Sequence, residues 1–283
     1  MFDKVRLYWP LVKAPQTGLL LATGLAGYLS AGTPAGLFPL LALAGSLLLA
    51  ISGSTLLNMC YDRDIDARMA RTCRRSLAAG TLGVAEARRV GLALSALGVG
   101  GALALAPRYG AVVLAGWFLD VVVYTLWLKR RTCWSIVWGG ISGAMPILSG
   151  RVLAAGRVDL VGVLLALAVL CWIPTHILTF SLRYREDYAR AGVPTWPSTY
   201  GDASTRGMIA GSAVLAGAAV SGASVLIGLS AGWLGLLAVL SAGLLLLALA
   251  TFRRHSERAV FGLFKYASAY MLSAMVIVAT RAF

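Results

Sequence analysis

Two short stretches of this 283-residue chain, within loops at about 58–89 and 181–206 that together hold seven of its eleven acidic side chains, could do chemistry. The first runs Asn58-Met-Cys-Tyr-Asp62-Arg-Asp64-Ile-Asp66-Ala-Arg-Met-Ala-Arg71-Thr72. If the apolar helix before it continues, Asn58, Asp62 and Asp66 fall on one face, each about 6 Å along from the last, while Asp64 points elsewhere. Carboxylates at this spacing repel one another and gain nothing by packing. Hard oxygen ligands on one face suit Mg2+, which typically takes one or two carboxylates and completes its shell with phosphate oxygens and water. A calcium loop of the EF-hand type is excluded, because no Gly follows the third acid and no distal Glu arrives at the required spacing. The competing reading is a solvated helix end pairing locally with Arg63, Arg68 and Arg71.

The second stretch runs from His176 to Pro197 through Arg183-Tyr184-Arg185-Glu186-Asp187-Tyr188-Ala-Arg190. It again sets carboxylates beside arginines and tyrosines that can donate to phosphate oxygens. Gly192 and Pro194 signal a helix end. A solvated loop is the competing reading here too. Taken together, the two stretches suit a ligand with a diphosphate head held through Mg2+ and a long hydrocarbon tail.

The elements that must position them are membrane spans. Hydrophobic residues make up 59% of the chain and charged ones 13%, about half the charge of a soluble domain. Nine apolar runs are readable, at about 16–32, 36–57, 90–106, 109–127, 134–152, 159–180, 207–228, 232–252 and 262–280, each long enough or nearly so to cross roughly 30 Å of hydrocarbon. The expected fold is all-α and polytopic, about nine transmembrane helices bundled around a central cavity. Only two connections are long, about 58–89 and 181–206, and each follows the second helix of a group of four. That placement suggests pseudo-repeat halves over about 10–130 and 132–252, plus a ninth helix at 262–280, forming one domain over 1–283.

The formal net charge of +14 is a topology signal rather than a sign of nucleic acid. An N-in, C-out path puts Lys4, Arg6, the arginines of both acidic loops and Arg254 on the cytoplasmic side. It leaves Arg108, Arg151, Arg157 and Arg281 outside, four of the 25 Lys and Arg residues. No removable signal peptide is evident. Cys60, Cys73, Cys133 and Cys171 form no C-x-x-C pair and read as small residues in a reducing compartment. Asp120 lies within the fourth span, one turn before Tyr124, and must be paired, protonated or facing a cavity. His176 sits near the cytoplasmic end of the sixth span, whereas His255 reads as solvated.

Three stretches carry a family resemblance: Tyr61-Asp-Arg-Asp-Ile-Asp-Ala-Arg-Met-Ala-Arg-Thr72, Tyr124-Thr-Leu-Trp-Leu-Lys-Arg-Arg-Thr132 and Tyr184-Arg-Glu-Asp-Tyr-Ala-Arg-Ala-Gly-Val-Pro194. The chain resembles the intramembrane aromatic prenyltransferase superfamily, and within it the heme-farnesylating branch, the protoheme IX farnesyltransferases. The resemblance covers roughly residues 10–205, the last three spans matching only in hydropathy.

It implies Mg2+-dependent transfer of the farnesyl group of farnesyl diphosphate to a vinyl group of heme b, giving heme o. Carried over by position, Asn58, Asp62 and Asp66 would hold Mg2+ and diphosphate, and Asp187 with Glu186 would serve a second metal site. Asp62, Asp66 and Asp187 would be the catalytic acids. Lys129, Arg71, Arg130 and Arg185 would neutralise the diphosphate, and His176, Tyr124, Tyr184 and Tyr188 would face the acceptor. The implied setting is the inner cell membrane, with the active site facing the cytoplasm and heme-delivery or heme-processing proteins as partners. Two other readings stand beside this one: an intramembrane prenyltransferase for a quinone precursor or glycerol phosphate lipid, and a small transporter with acidic gates.

Overall fold

In hydrocarbon every backbone polar group must be satisfied within the protein, so long apolar runs form helices. A computed structural model describes residues 7–32, 36–253 and 257–282, and no strand occurs among them. Lys4, Arg6, Arg254 and His255 lie outside the described residues.

The helices are α1 (Ala14–Leu29), α2 (Leu37–Tyr61), α3 (Arg63–Arg68), α4 (Val84–Leu105), α5 (Pro107–Leu128), α6 (Ser135–Ala155), α7 (Leu160–Arg183), α8 (Arg185–Ala191), α9 (Trp196–Leu226), α10 (Ala231–Arg253) and α11 (Glu257–Ala279). Eight of these, all but α1, α3 and α8, are long and apolar enough to cross a membrane. The first of the nine apolar runs becomes α1, whose 16 residues extend only about 24 Å at the α-helical rise. The short helices α3 and α8 directly follow α2 and α7.

Small residues let these helices approach until backbones touch, the usual means of helix association where lipid removes the hydrophobic drive. A Cβ on Gly27 of α1 would fall 2.0 Å from the Ile147 carbonyl oxygen of α6, and one on Gly150 would fall 1.9 Å from that of Gly24. Between α2 and α4, a Cβ on Gly98 would lie 2.3 Å from the Ala50 nitrogen. The hydroxyls of Ser46 and Tyr109, 2.8 Å apart, tie α2 to α5.

The two ends of the bundle differ in chemistry. At one, Arg151 bonds Asp159 at 2.7 Å and the Ser30 carbonyl at 2.7 Å, while Asp159 caps α7 by accepting from Gly162 N–H. At the other, Ile65 and Met69 after α2 pack on Ala191 and Val193 after α7, with Tyr188 against them. The two acidic stretches therefore meet, as their equivalent positions suggested.

Helix α2 does not run on through the first stretch. It breaks at Asp62 (φ −87°, ψ 5°), and α3 starts one residue later. Asp62 N–H still donates to the Asn58 carbonyl, and Asp66 N–H to that of Asp62, so the fourfold spacing of the three polar residues survives the bend.

The glycine contacts predict a selective stability effect. Gly150→Ala is expected to cost about 1–3 kcal/mol by overpacking, read as a lowered unfolding temperature in detergent. Gly45→Ala, where an added Cβ meets nothing within 4 Å, is expected to be neutral or stabilising.

Candidate active site

A cavity of about 990 Å³ opens at the end where the acidic stretches meet, at the upper limit of ordinary ligand pockets. Its inner walls are apolar, with Leu19, Leu47, Ile51 and Ile136 among the lining residues, while Asn58, Asp62, Asp66, Arg71 and Lys129 crowd one end. Lys13, Arg75 and Asp120 line it as well, and Tyr124, Tyr188 and His176 complete the set of predicted residues on its wall.

The acids of the first stretch are held by cations beyond their own helical turns, Asp62 and Asp64 by residues of the α5 end and Asp66 by Arg75 nine residues on. Asp62, 6% exposed, receives the ammonium of Lys129 on Oδ2. Both Asp66 oxygens accept from Arg75 Nη1, at 2.9 and 3.1 Å. Asp64 points away from the cavity and takes a two-point contact from Arg130, at 2.7 and 2.8 Å. That contact holds its carboxyl below the usual range. The local partners Arg63, Arg68 and Arg71 expected of a solvated helix end make none of these pairs among the described residues.

Arg71 instead lies over aromatic rings of the second stretch, 4.8 Å from the Phe180 centroid and 5.5 Å from that of Tyr184. Such contacts are worth about 0.5–2 kcal/mol and leave the donors of the guanidinium available.

The end of α5 explains how Lys129 reaches Asp62. Residues Leu119–Leu128 form a π-helix, and the Lys129 N–H bonds the carbonyl of Tyr124, five residues back. Such wide turns are rare and concentrate at functional sites. Burial disfavours the Lys129 cation, but Tyr124, Asp62 and Tyr188 outweigh it and hold the group above the ordinary lysine range.

Asp120 begins the same wide stretch. Its partners are Ser54 Oγ at 2.8 Å and Asn58 Nδ2 at 3.0 Å, not the neighbouring Tyr124 that sequence proximity suggested.

Not all predicted residues reach the cavity wall. Asp187 is buried and paired with Arg190, three residues on. Glu186 is exposed, Arg185 bonds Asp202 at 2.7 Å, and Arg130 is engaged with Asp64. Tyr184 stacks on Phe180 at 4.5 Å. These five side chains lie behind the lining residues, because α8 turns its cavity side through Tyr188.

The donor set at the charged end fits Mg2+. Asp62 Oδ1 is buried with no hydrogen-bond partner, a costly condition for a carboxylate oxygen unless a cation or strong donor meets it. No three His, Cys, Asp or Glu side chains among the described residues form a ready-made metal cage, and Mg2+ ordinarily needs none, since substrate phosphates complete its shell.

His176, also on the cavity wall, lies between Trp172 and Phe264, with centroids at 4.9 and 4.5 Å. Its Nδ1 is 3.2 Å from Ser268 Oγ, which donates to the Phe264 carbonyl. In the tautomer where the serine proton goes to that carbonyl, Nδ1–H is the donor and Nε2 keeps its lone pair.

A profile of the UbiA prenyltransferase family matches residues 20–272. The chain belongs to this family. The UbiA relatives include a protein from Pyrobaculum neutrophilum named protoheme IX farnesyltransferase, 39% identical over 92% of this chain and 94% of its own length. One of the same name from Archaeoglobus fulgidus is 43% identical over 70% of each chain.

Among solved structures, a UbiA homologue from Aeropyrum pernix K1 shares the fold with a TM-score of 0.74 at 20% identity, covering 94% of this chain and 96% of that one. A UbiA homologue from Archaeoglobus fulgidus, solved with GPP and Mg2+, has a TM-score of 0.70 at 16% identity over 96% of this chain and 99% of that one. UbiA membership makes the chain a prenyltransferase and sets the transporter reading aside.

Two cavity residues of this UbiA protein, Lys13 and Arg75, were not among the site residues expected from sequence. Arg75 was findable from its place in Arg71-Thr-Cys-Arg-Arg75. Lys13 is set by a left-handed backbone (φ 49°) just before α1, a conformation costing about 1–3 kcal/mol in a non-glycine residue. Its amine faces Lys129 and Arg75, and burial together with those cations lowers its pKa to about 8.

The sign follows directly. Below pH 8 Lys13 is charged and attracts an anion; above it the charge is lost. Affinity for inorganic diphosphate, measured calorimetrically, is therefore expected to fall as pH rises through about 8. In Lys13→Arg the fall should be absent.

Proposed function

We propose that this protein transfers the farnesyl group of farnesyl diphosphate to a vinyl group of heme b, with addition of water, giving heme o. The observation that carries the proposal is one cavity lined by two unlike groups. Asp62, Asp66, Lys129, Arg71 and Arg75 form a charged cluster, and His176, set between aromatic rings, lines the same cavity. The shared name of the relatives supports the acceptor, and the GPP and Mg2+ in the Archaeoglobus UbiA structure support the donor.

In this reading Asn58, Asp62 and Asp66 hold Mg2+, whose chemistry is to neutralise charge growing on the departing diphosphate. Lys129, Arg71, Arg75 and Lys13 meet the diphosphate oxygens directly. Asp187, with Glu186, would serve a second metal only after leaving Arg190 and turning past Tyr188, while Arg130 and Arg185 hold the surrounding loops and reach diphosphate only after leaving Asp64 and Asp202. The apolar walls accept the prenyl chain and keep water from the allylic cation until the acceptor meets it.

His176 would offer Nε2 as a ligand to the heme iron, with Nδ1 held by Ser268. Tyr124 and Tyr188 bound the acceptor's path, and Tyr184 supports it from behind through Phe180.

The bundle is read as two similar halves plus a last helix, a reading supported by α3 following α2 as α8 follows α7. The acidic end faces the cytoplasm of a cell membrane, in keeping with the distribution of arginines. Heme donors and heme-processing enzymes are its partners.

The test is an assay of detergent-solubilised protein with farnesyl diphosphate, Mg2+ and heme b. The expected product is heavier than heme b by a hydroxyethylfarnesyl modification. Turnover of a quinone precursor or glycerol phosphate acceptor, with heme b untouched, would move the protein to another acceptor class. Asp62→Ala is expected to lower diphosphate release at least about 100-fold, the scale of several kcal/mol of lost charge stabilisation, with the fold intact. His176→Ala should change the heme spectrum and weaken heme binding about tenfold or more while leaving farnesyl diphosphate affinity alone; an unchanged spectrum and turnover refutes its role.

A further inference from the structure

Asp120 has no part in the scheme above, yet it is a carboxylate within a membrane span, and such groups are retained only where they are paired or used. Its Oδ2 takes two hydrogen bonds from α2, from Ser54 Oγ and Asn58 Nδ2. The other end of the Asn58 amide is held as well. Thr125 Oγ1 stands 2.6 Å from Asn58 Oδ1 and 2.8 Å from the carbonyl of Asp120, and can donate to either.

Asp120 and Thr125 are five residues apart. On an α-helix they would face different directions, but in the π-helical stretch Leu119–Leu128 residues five apart stack along the axis. Both therefore reach the same amide, one at its nitrogen and the other at its oxygen.

The chemistry of the grip is directional. An ionised carboxylate only accepts hydrogen bonds, so it can bind the Nδ2 end of Asn58 and reject the Oδ1 end. The Thr125 hydroxyl, a donor, suits Oδ1. An amide in place of Asp120 could pair with either end of Asn58 and would leave its orientation open.

We propose that Asp120 is a positioning residue: it fixes the Asn58 side chain so that Oδ1, with its second lone pair, is presented beside Asp62 as a ligand for the divalent cation. The inference rests on the Mg2+ reading of the site given above. It accounts for the carboxylate at 120, for the π-helical stretch that begins at it, and for the hydroxyls of Ser54 and Thr125. Ser54, Asn58 and Asp120 all line the cavity, so the arrangement sits at its charged end and not in the packing between helices.

The test is a double-mutant cycle on metal binding, read without turnover. Mn2+, a hard divalent probe taken by the same oxygen ligands, is titrated with inorganic diphosphate into the detergent-solubilised full chain and followed by electron paramagnetic resonance. Asp120→Asn, which keeps shape and removes direction, is expected to weaken Mn2+ binding about 10- to 100-fold, the usual effect of losing a group that orients a metal ligand. Thr125→Val should weaken it in the same direction.

In an Asn58→Ala background Asp120→Asn should have no further effect, because the side chain it orients is gone. Unfolding temperatures of the variants, within a few degrees of the parent, separate this from loss of fold; if Asp120→Asn fails to fold, Thr125→Val in the two backgrounds decides the same question. Equal weakening with and without Asn58, or no weakening at all, overturns the proposal. A parent protein that binds no Mn2+ with diphosphate overturns the metal reading itself, and the proposal with it.

Discussion

A carboxylate in an apolar bundle costs several kcal/mol unless a cation or several donors meet it, and the architecture at the active end follows from that constraint. The Asp62–Lys129 pair joins residues 67 positions apart. For it to form, α2 must end at Asp62, α5 must carry Lys129 to the same depth, and the wide π-helical turns must set the final angle. Asp66 with Arg75 and Asp187 with Arg190 meet the same requirement at neighbouring points. At the opposite end of the bundle, Arg151 with Asp159 does so to close a helix junction.

These pairs also define what the site can bind. A diphosphate carries the same kind of oxygen as the carboxylates and competes with them for Lys129 and Arg75. A divalent cation entering beside Asp62 would compensate the acid that such a ligand displaces. The cluster is thus preorganised as a polar patch with exchangeable partners, set on an otherwise apolar cavity of about 990 Å³. Two cavity cations, Lys13 and Arg71, have no carboxylate partner among the described residues and add net positive character at the same end. The left-handed backbone of Lys13 and the aromatic rings under Arg71 hold them there.

Much of this was legible in the chain. Apolar runs give the helices, because in lipid no other local structure satisfies the backbone. The i, i+4, i+8 spacing of Asn58, Asp62 and Asp66 gives one face, and all three do line the cavity even though the helix breaks between them, since the backbone bonds at Asp62 and Asp66 keep the spacing. The motif that contains Lys129 marked that residue through resemblance. The position of Asp187 behind Tyr188 was not legible, because a seven-residue helix following a bend can present any of its faces. Nor was the partner of Asp120: Tyr124 is near in sequence, but Ser54 and Asn58 are near in space.

The sequence by itself determined the membrane setting, the helical class, the two acidic stretches and the kind of chemistry they suit, since these depend on composition and on spacings within one helix. Tertiary structure decided which cation answers which acid, that α1 is too short to cross as a straight helix by its own length, that α5 ends in a π-helix, and that Lys13 and Arg75 join the site. Those outcomes depend on how closely glycines let helices approach and on compensating buried charge across tens of residues. Pairing of that kind leaves no local pattern in the chain, because its energy is set by distance in space and not by separation in sequence.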